Sequence, residues 1–130
     1  PCSSTAGEFW LKNTKRRDGT AILKHDHQYL GAYTFGSHKG KYECLVPTRQ
    51  MTIWRDPNRD SVLDYDVTEG TSASCQIHKA GKSSFHVDKW SAGCIVVQNG
   101  FDEFMKLCKL QESWGRGNKF SLTILRGLWI

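Results

Sequence analysis

Between Glu8 and Val97 the chain is cut by glycines and polar turns into short segments rich in aromatic and β-branched residues, and this punctuation limits the fold to a β-rich one. Tyr29 to Tyr33, Tyr42 to Val46 and Met51 to Trp54 are the clearest of these segments. Asp18-Gly19, with Phe9-Trp10-Leu11 before it and Thr20 to Leu23 after it, predicts an opening hairpin. The pattern changes only after Val97. Phe101, Phe104, Met105 and Cys108 recur at helical spacing, with Asp102 and Glu103 early and Lys106 and Lys109 later, so one main helix is predicted over Gly100 to Leu110. Asn99 is the expected N-cap, and Phe101, Phe104 and Met105 are expected to face the sheet. Phe120, Leu122 and Ile124 alternate with Ser121 and Thr123, which predicts a final strand. The expected class is therefore mainly β (α+β): a β-sandwich or open barrel of short mixed strands with one main helix near residues 100–110.

A chain of 130 residues fits one domain spanning 1–130, and no apolar run reaches the roughly 18 residues of a membrane helix. A monomer is expected. The formal charge of +5 favours anionic partners: nucleic acid, anionic lipid headgroups or a bacterial cell wall. Lys12, Lys15, Arg16 and Arg17 form the densest basic cluster, but no nucleic-acid motif accompanies it, so it reads as a solvated turn and no nucleic-acid partner is expected.

The chemistry concentrates in one stretch. Ser91-Ala92-Gly93-Cys94 runs straight into Ile95-Val96-Val97, so a thiol sits where a loop enters a strand, and His78 lies upstream in or just after Ser74-Cys75-Gln76-Ile77. Cysteine attacks as thiolate, which requires an imidazole to take the proton and small residues beside the backbone. His78, Gly93 and Cys94 are thus the candidate catalytic residues. His86, eight residues before Cys94, is the rival base and is assigned a structural or substrate-facing role. Ser91 either holds the turn or, with Trp90, touches substrate.

The order and spacing, His78 then Ser91-Ala92-Gly93-Cys94, resemble the active-site motif of the L,D-transpeptidase (YkuD-type) catalytic domain, in a divergent and compact form. The similarity runs from about Tyr33 through Phe104 and includes Met51-Thr52-Ile53-Trp54-Arg55-Asp56. Two positions depart from the family pattern: Ala92 stands where histidine is usual, and Val96 where Arg or Asn is usual. The resemblance implies a YkuD-like fold and attack by Cys94 on peptidoglycan stem peptides, with release of D-alanine. The thioester then passes to an amine, or to water as an L,D-carboxypeptidase. Gly93 and Cys94 amides would form the oxyanion hole, His78 would raise the thiolate fraction of Cys94, and no cofactor or metal is called for. The departures keep two alternatives open: a catalytically inactive peptidoglycan-binding module, and an antibacterial effector or lytic enzyme using the same site.

Five cysteines are present, so with Cys94 reserved, Cys2, Cys44, Cys75 and Cys108 could form two disulfides; equally, Cys44, Cys75 and Cys108 could be small buried apolar residues. A secreted or periplasmic setting is the expectation, inferred rather than read, and the start Pro1-Cys2 reads as a processed or trimmed product. Asp56 to Asp64 places oxygens at alternating positions, but Ser61 replaces the glycine of a calcium loop and Val67 its terminal glutamate, so a solvated acidic turn is expected. His25, His27 and His38 are expected to be surface residues.

Overall fold

The computed structural model describes residues 2–65, 67–81 and 86–126. In chain order the elements are β1 (Cys2–Ser3), α1 (Glu8–Lys12), β2 (Thr20–Leu23), β3 (His27–His38), β4 (Tyr42–Pro47), β5 (Met51–Asp56), β6 (Thr68–Ser72), β7 (Ile77–Lys79), β8 (Ile95–Val97), α2 (Phe101–Ser113) and β9 (Phe120–Ile124). A 3-10 turn, Asp88–Trp90, precedes β8. The strands form a six-stranded sheet in the order β1-β8-β7-β4-β3-β9 and a three-stranded sheet in the order β2-β5-β6. The larger sheet is mixed and curls into a half-barrel, so the β-rich α+β class with one main helix is the one observed.

The long strand β3 explains part of the curl. Its second half pairs with β4 from Tyr33↔Pro47 to His38↔Tyr42, while its first half pairs with β9, and the register breaks between Tyr29 and Tyr33. An irregularity of this kind bends a strand and increases its twist. The β3–β4 turn places Lys39 and Gly40 at φ of 52° and 67°, and the Lys41 N–H donates to the His38 carbonyl at 2.9 Å. Left-handed central residues match the natural twist of a hairpin. The turn therefore delivers His38 and Lys39 together at one end of the sheet.

Two expectations change at the N-terminus. Phe9-Trp10-Leu11 lies in a helix instead of a strand, and β2 pairs antiparallel with β5, Thr20↔Asp56 to Leu23↔Ile53. The helix closes a Glu8–Lys12 ion pair at 2.8 Å, buries Leu11 and packs Phe9 edge-on against Trp10. Trp10 Nε1–H then donates to the Lys89 carbonyl at 3.0 Å, docking α1 against the 3-10 turn. A three-residue apolar run fits strand and short helix alike, and here the tertiary dock decides.

Helix α2 begins where expected but extends to Ser113, and Gly100, at φ 75°, occupies the N-cap position in place of Asn99. Phe101, Met105 and Cys108 are buried, while Phe104 is half-buried against the same core. That core also takes Tyr33, Leu45, Ile77 and Ile95 from the large sheet and Ala21, Leu23 and Ile53 from the small one. No helix among the described residues is long and apolar enough to cross a membrane.

Candidate active site

Strands β7 and β8 are parallel, with Ile77↔Ile95 and His78↔Val96 in register. The Ile95 N–H donates to the Gln76 carbonyl at 2.8 Å, so Cys94 lies beside Gln76, two residues along from His78. Both side chains line one cleft of about 680 Å³. The predicted pair is brought to one site by the only parallel pairing among the described strands.

His78 is 2% exposed. Its Nδ1 stands 2.9 Å from the Lys79 carbonyl, which can only accept, so Nδ1 carries the hydrogen and Nε2 bears the basic lone pair. Nε2 is buried without a hydrogen-bond partner among the described atoms. Burial pushes the imidazole below its ordinary value, with His38 and Lys39 acting in the same direction against the Lys79 hydrogen bond. The result is a neutral base with its free nitrogen uncommitted.

Cys94 is half-buried, and its thiol donates to the Ser74 carbonyl at 3.3 Å. Burial raises its pKa, opposed by the Gln76 N–H and more weakly by Lys15 and Lys39. A donated thiol hydrogen and desolvation both favour S–H, against the raised thiolate fraction expected of Cys94.

The turn before Cys94 is fixed from inside. Ser91 is 1% exposed; its hydroxyl donates to the Cys94 carbonyl at 2.7 Å and accepts from the Gly93 N–H at 3.1 Å. Ser91 thus holds the turn, with its hydroxyl turned away from substrate duty. The same bond corrects the oxyanion expectation, because the Gly93 N–H is already engaged. Gly93 instead serves the backbone: its φ is +128°, and a Cβ there would stand 2.6 Å from the Ala21 carbonyl oxygen. Gly93→Ala should cost about 1–3 kcal/mol by denaturant unfolding and displace the Cys94 loop. A stability and thiol reactivity equal to wild type would contradict this.

Two features of the cleft escaped the sequence reading. His38, expected on the surface, stacks on His78 with centroids 4.2 Å apart and planes 26° apart, and its Nδ1 lies 2.6 Å from Gln76 Oε1. Lys15 and Arg16, expected in a solvated turn, line the cleft with Lys39, Arg55 and Lys89, and no carboxylate is among the described lining residues. Lys15 sits 4.4 Å from the Trp10 ring centre, so the docking of α1 brings it there. No local pattern could show either placement. Trp90 is half-buried in the lining, whereas His86 is exposed and outside it.

Other candidates resolve into structure. All five cysteines are free; Cys44, Cys75 and Cys108 are buried as small apolar residues, and burial pushes the Cys44 and Cys75 thiols up to about 11. Of the two readings left open for them, the buried apolar one is observed, and no disulfide is formed. In the Asp56–Asp64 loop the oxygens are used by the loop itself: Asp60 Oδ1 accepts from the Val62 N–H at 2.8 Å, Asp56 Oδ2 from the Asp64 N–H at 3.1 Å, and Asp64 from the Asn58 amide. Asp56 is buried, so this is more than a solvated turn. His25 is likewise not a free surface residue, being packed edge-on against Trp54 and Tyr65. Among the described residues no group of three or more His, Cys, Asp or Glu is arranged to hold a metal ion. A groove of about 720 Å³ beside α2, lined by Tyr42, Phe101 and Met105, contains neither a thiol nor an imidazole. Comparison of the chain with protein-family models, curated proteins and solved structures finds no match.

Proposed function

We propose that this chain is a cysteine acyltransferase of the L,D-transpeptidase type, acting on peptide stems of bacterial peptidoglycan outside the cytoplasm. The observation that carries the reading is the single cleft lined by a thiol, Cys94, just before β8, and by a neutral imidazole with an uncommitted Nε2, His78, on the parallel neighbour β7. In this reading the Cys94 side chain turns off the Ser74 carbonyl toward Nε2. His78 takes the thiol proton as sulfur attacks the substrate carbonyl carbon, and the charge collects on the carbonyl oxygen. The Cys94 N–H is the donor nearest to hand for that oxygen, since the Gly93 N–H is engaged. Collapse breaks the carbon–nitrogen bond, the amine of D-alanine leaves with the proton from His78, and a Cys94 thioester remains. Transfer to an amine makes a cross-link; transfer to water completes a carboxypeptidase cycle. Lys15, Lys39 and Lys89 in the cleft lining suit the free carboxylates of a stem peptide, while Arg16 and Arg55 are paired with Asp18.

A second reading has its own support: the thiol donating to Ser74 with a raised pKa is what a non-catalytic peptidoglycan-binding module would keep. Incubation with defined muropeptides, with products followed by mass spectrometry, separates the two. Wild type should release D-alanine and Cys94→Ala should not. Binding without product would favour the module, and turnover that persists in Cys94→Ala would reject the nucleophile.

A further inference from the structure

We propose that His38 is a positioning residue for His78, its clamped ring holding the basic nitrogen in place and opposing its protonation. The proposal rests on the assignment of His78 as the base. Gln76 Oε1 can only accept, so at 2.6 Å it receives the hydrogen of His38 Nδ1 and fixes that ring's orientation. The two rings then lie face to face at 4.2 Å with a 26° tilt. Two imidazolium ions at this distance would repel, so His38 acts to lower the His78 pKa. His38 is the more open ring, and His78 the buried one. Positive charge at His38 therefore opposes positive charge at His78.

Lys39 acts in the same sense. Lys39 stands beside His38 at the hairpin tip, Tyr42 of β4 lies 5.3 Å from the His38 ring, and Lys15 and Lys89 line the cleft, as does the thiol of Cys94. No carboxylate among the described lining residues competes to draw a proton onto His78. Gln76 links the two halves of the site, since its side chain clamps His38 and its backbone carbonyl pairs with Ile95, next to the nucleophile.

The test uses iodoacetamide as the probe, with labelling of the Cys94 peptide followed by mass spectrometry between about pH 5 and 9. His38→Phe keeps a flat ring without its charge; His38→Gln keeps a polar side chain without the ring. In both, the acid limb of labelling should move to higher pH by on the order of one unit, with several-fold slower labelling near pH 6 and little change on the alkaline side. A limb unmoved in both variants would overturn the proposal, because a purely packing role would not set it. A shift of equal size in a His78→Ala background would overturn it too, since His38 would then act on Cys94 directly. The probe needs no peptidoglycan: a moved limb without muropeptide turnover in wild type upholds His38 and rejects the proposed function, while turnover with an unmoved limb does the reverse.

Discussion

His78→Ala is expected to slow acylation of Cys94 by about 10²- to 10⁴-fold, the usual contribution of a positioned general base. The loss should be largest near neutral pH and shrink in alkali, where hydroxide makes the thiolate unaided. Stopped-time muropeptide turnover and iodoacetamide labelling both read it, and a loss of less than threefold by both would contradict the role. Because burial holds His78 below the ordinary imidazole value of 6.5, the acid limb of wild-type activity should lie below that pH. Stability follows the same group. The unfolded chain takes up this proton more readily than the folded one, so the contribution of neutral His78 is complete above pH 6.5 and is lost as the pH falls toward the folded value. His78→Asn, which can still donate to the Lys79 carbonyl, should flatten that acid-side fall in the urea midpoint. Equal acid sensitivity in the variant would assign the fall to other groups.

Tyr33→Ala should destabilise the fold by about 3–5 kcal/mol, on the scale of other large buried aromatic deletions. Tyr33 has no exposed surface and stands where β3 passes from β9 to β4, so its loss opens a cavity in the centre of the curled sheet. Against a total stability of about 5–15 kcal/mol for an ordinary domain, that is a large share. Its hydroxyl donates to the Cys75 carbonyl at 2.8 Å, and Cys75 sits between Ser74, which receives the Cys94 thiol, and Gln76, which clamps His38. Tyr33→Phe should therefore cost about 1–3 kcal/mol through one unsatisfied buried carbonyl and also alter Cys94 labelling in the folded protein. Denaturant unfolding with labelling at matched folded fraction tests both parts. A change in stability alone would show that the 74–76 segment keeps its shape without the bond.

What local chemistry encodes was legible. The alternation of Phe120, Leu122 and Ile124 gave β9, and the helical recurrence of Phe101, Met105 and Cys108 gave α2, because each periodicity matches a face that is buried. The turn that carries Cys94 was legible in part, since a small residue at 93 is required by the backbone itself. Strand β6, Thr68–Ser72, was not anticipated: it is polar, carries Gly70 and pairs on one side only, so it needs no apolar alternation. The role of Lys15 depends on where α1 docks, and that of His38 on a hairpin that brings it over a strand forty residues later. Contacts of that range leave no mark on neighbouring residues.

The parallel course of β7 and β8 has a consequence for how such a site can vary. Two parallel strands cannot be joined by a tight turn, so the return path from Lys79 to Ile95 is a crossover connection. The ladder that sets sulfur against imidazole owes nothing to the length of this return path. Exposed positions along that path, such as Lys89, can be exchanged without touching the ladder, whereas Ser91 and Gly93 hold the turn that carries Cys94.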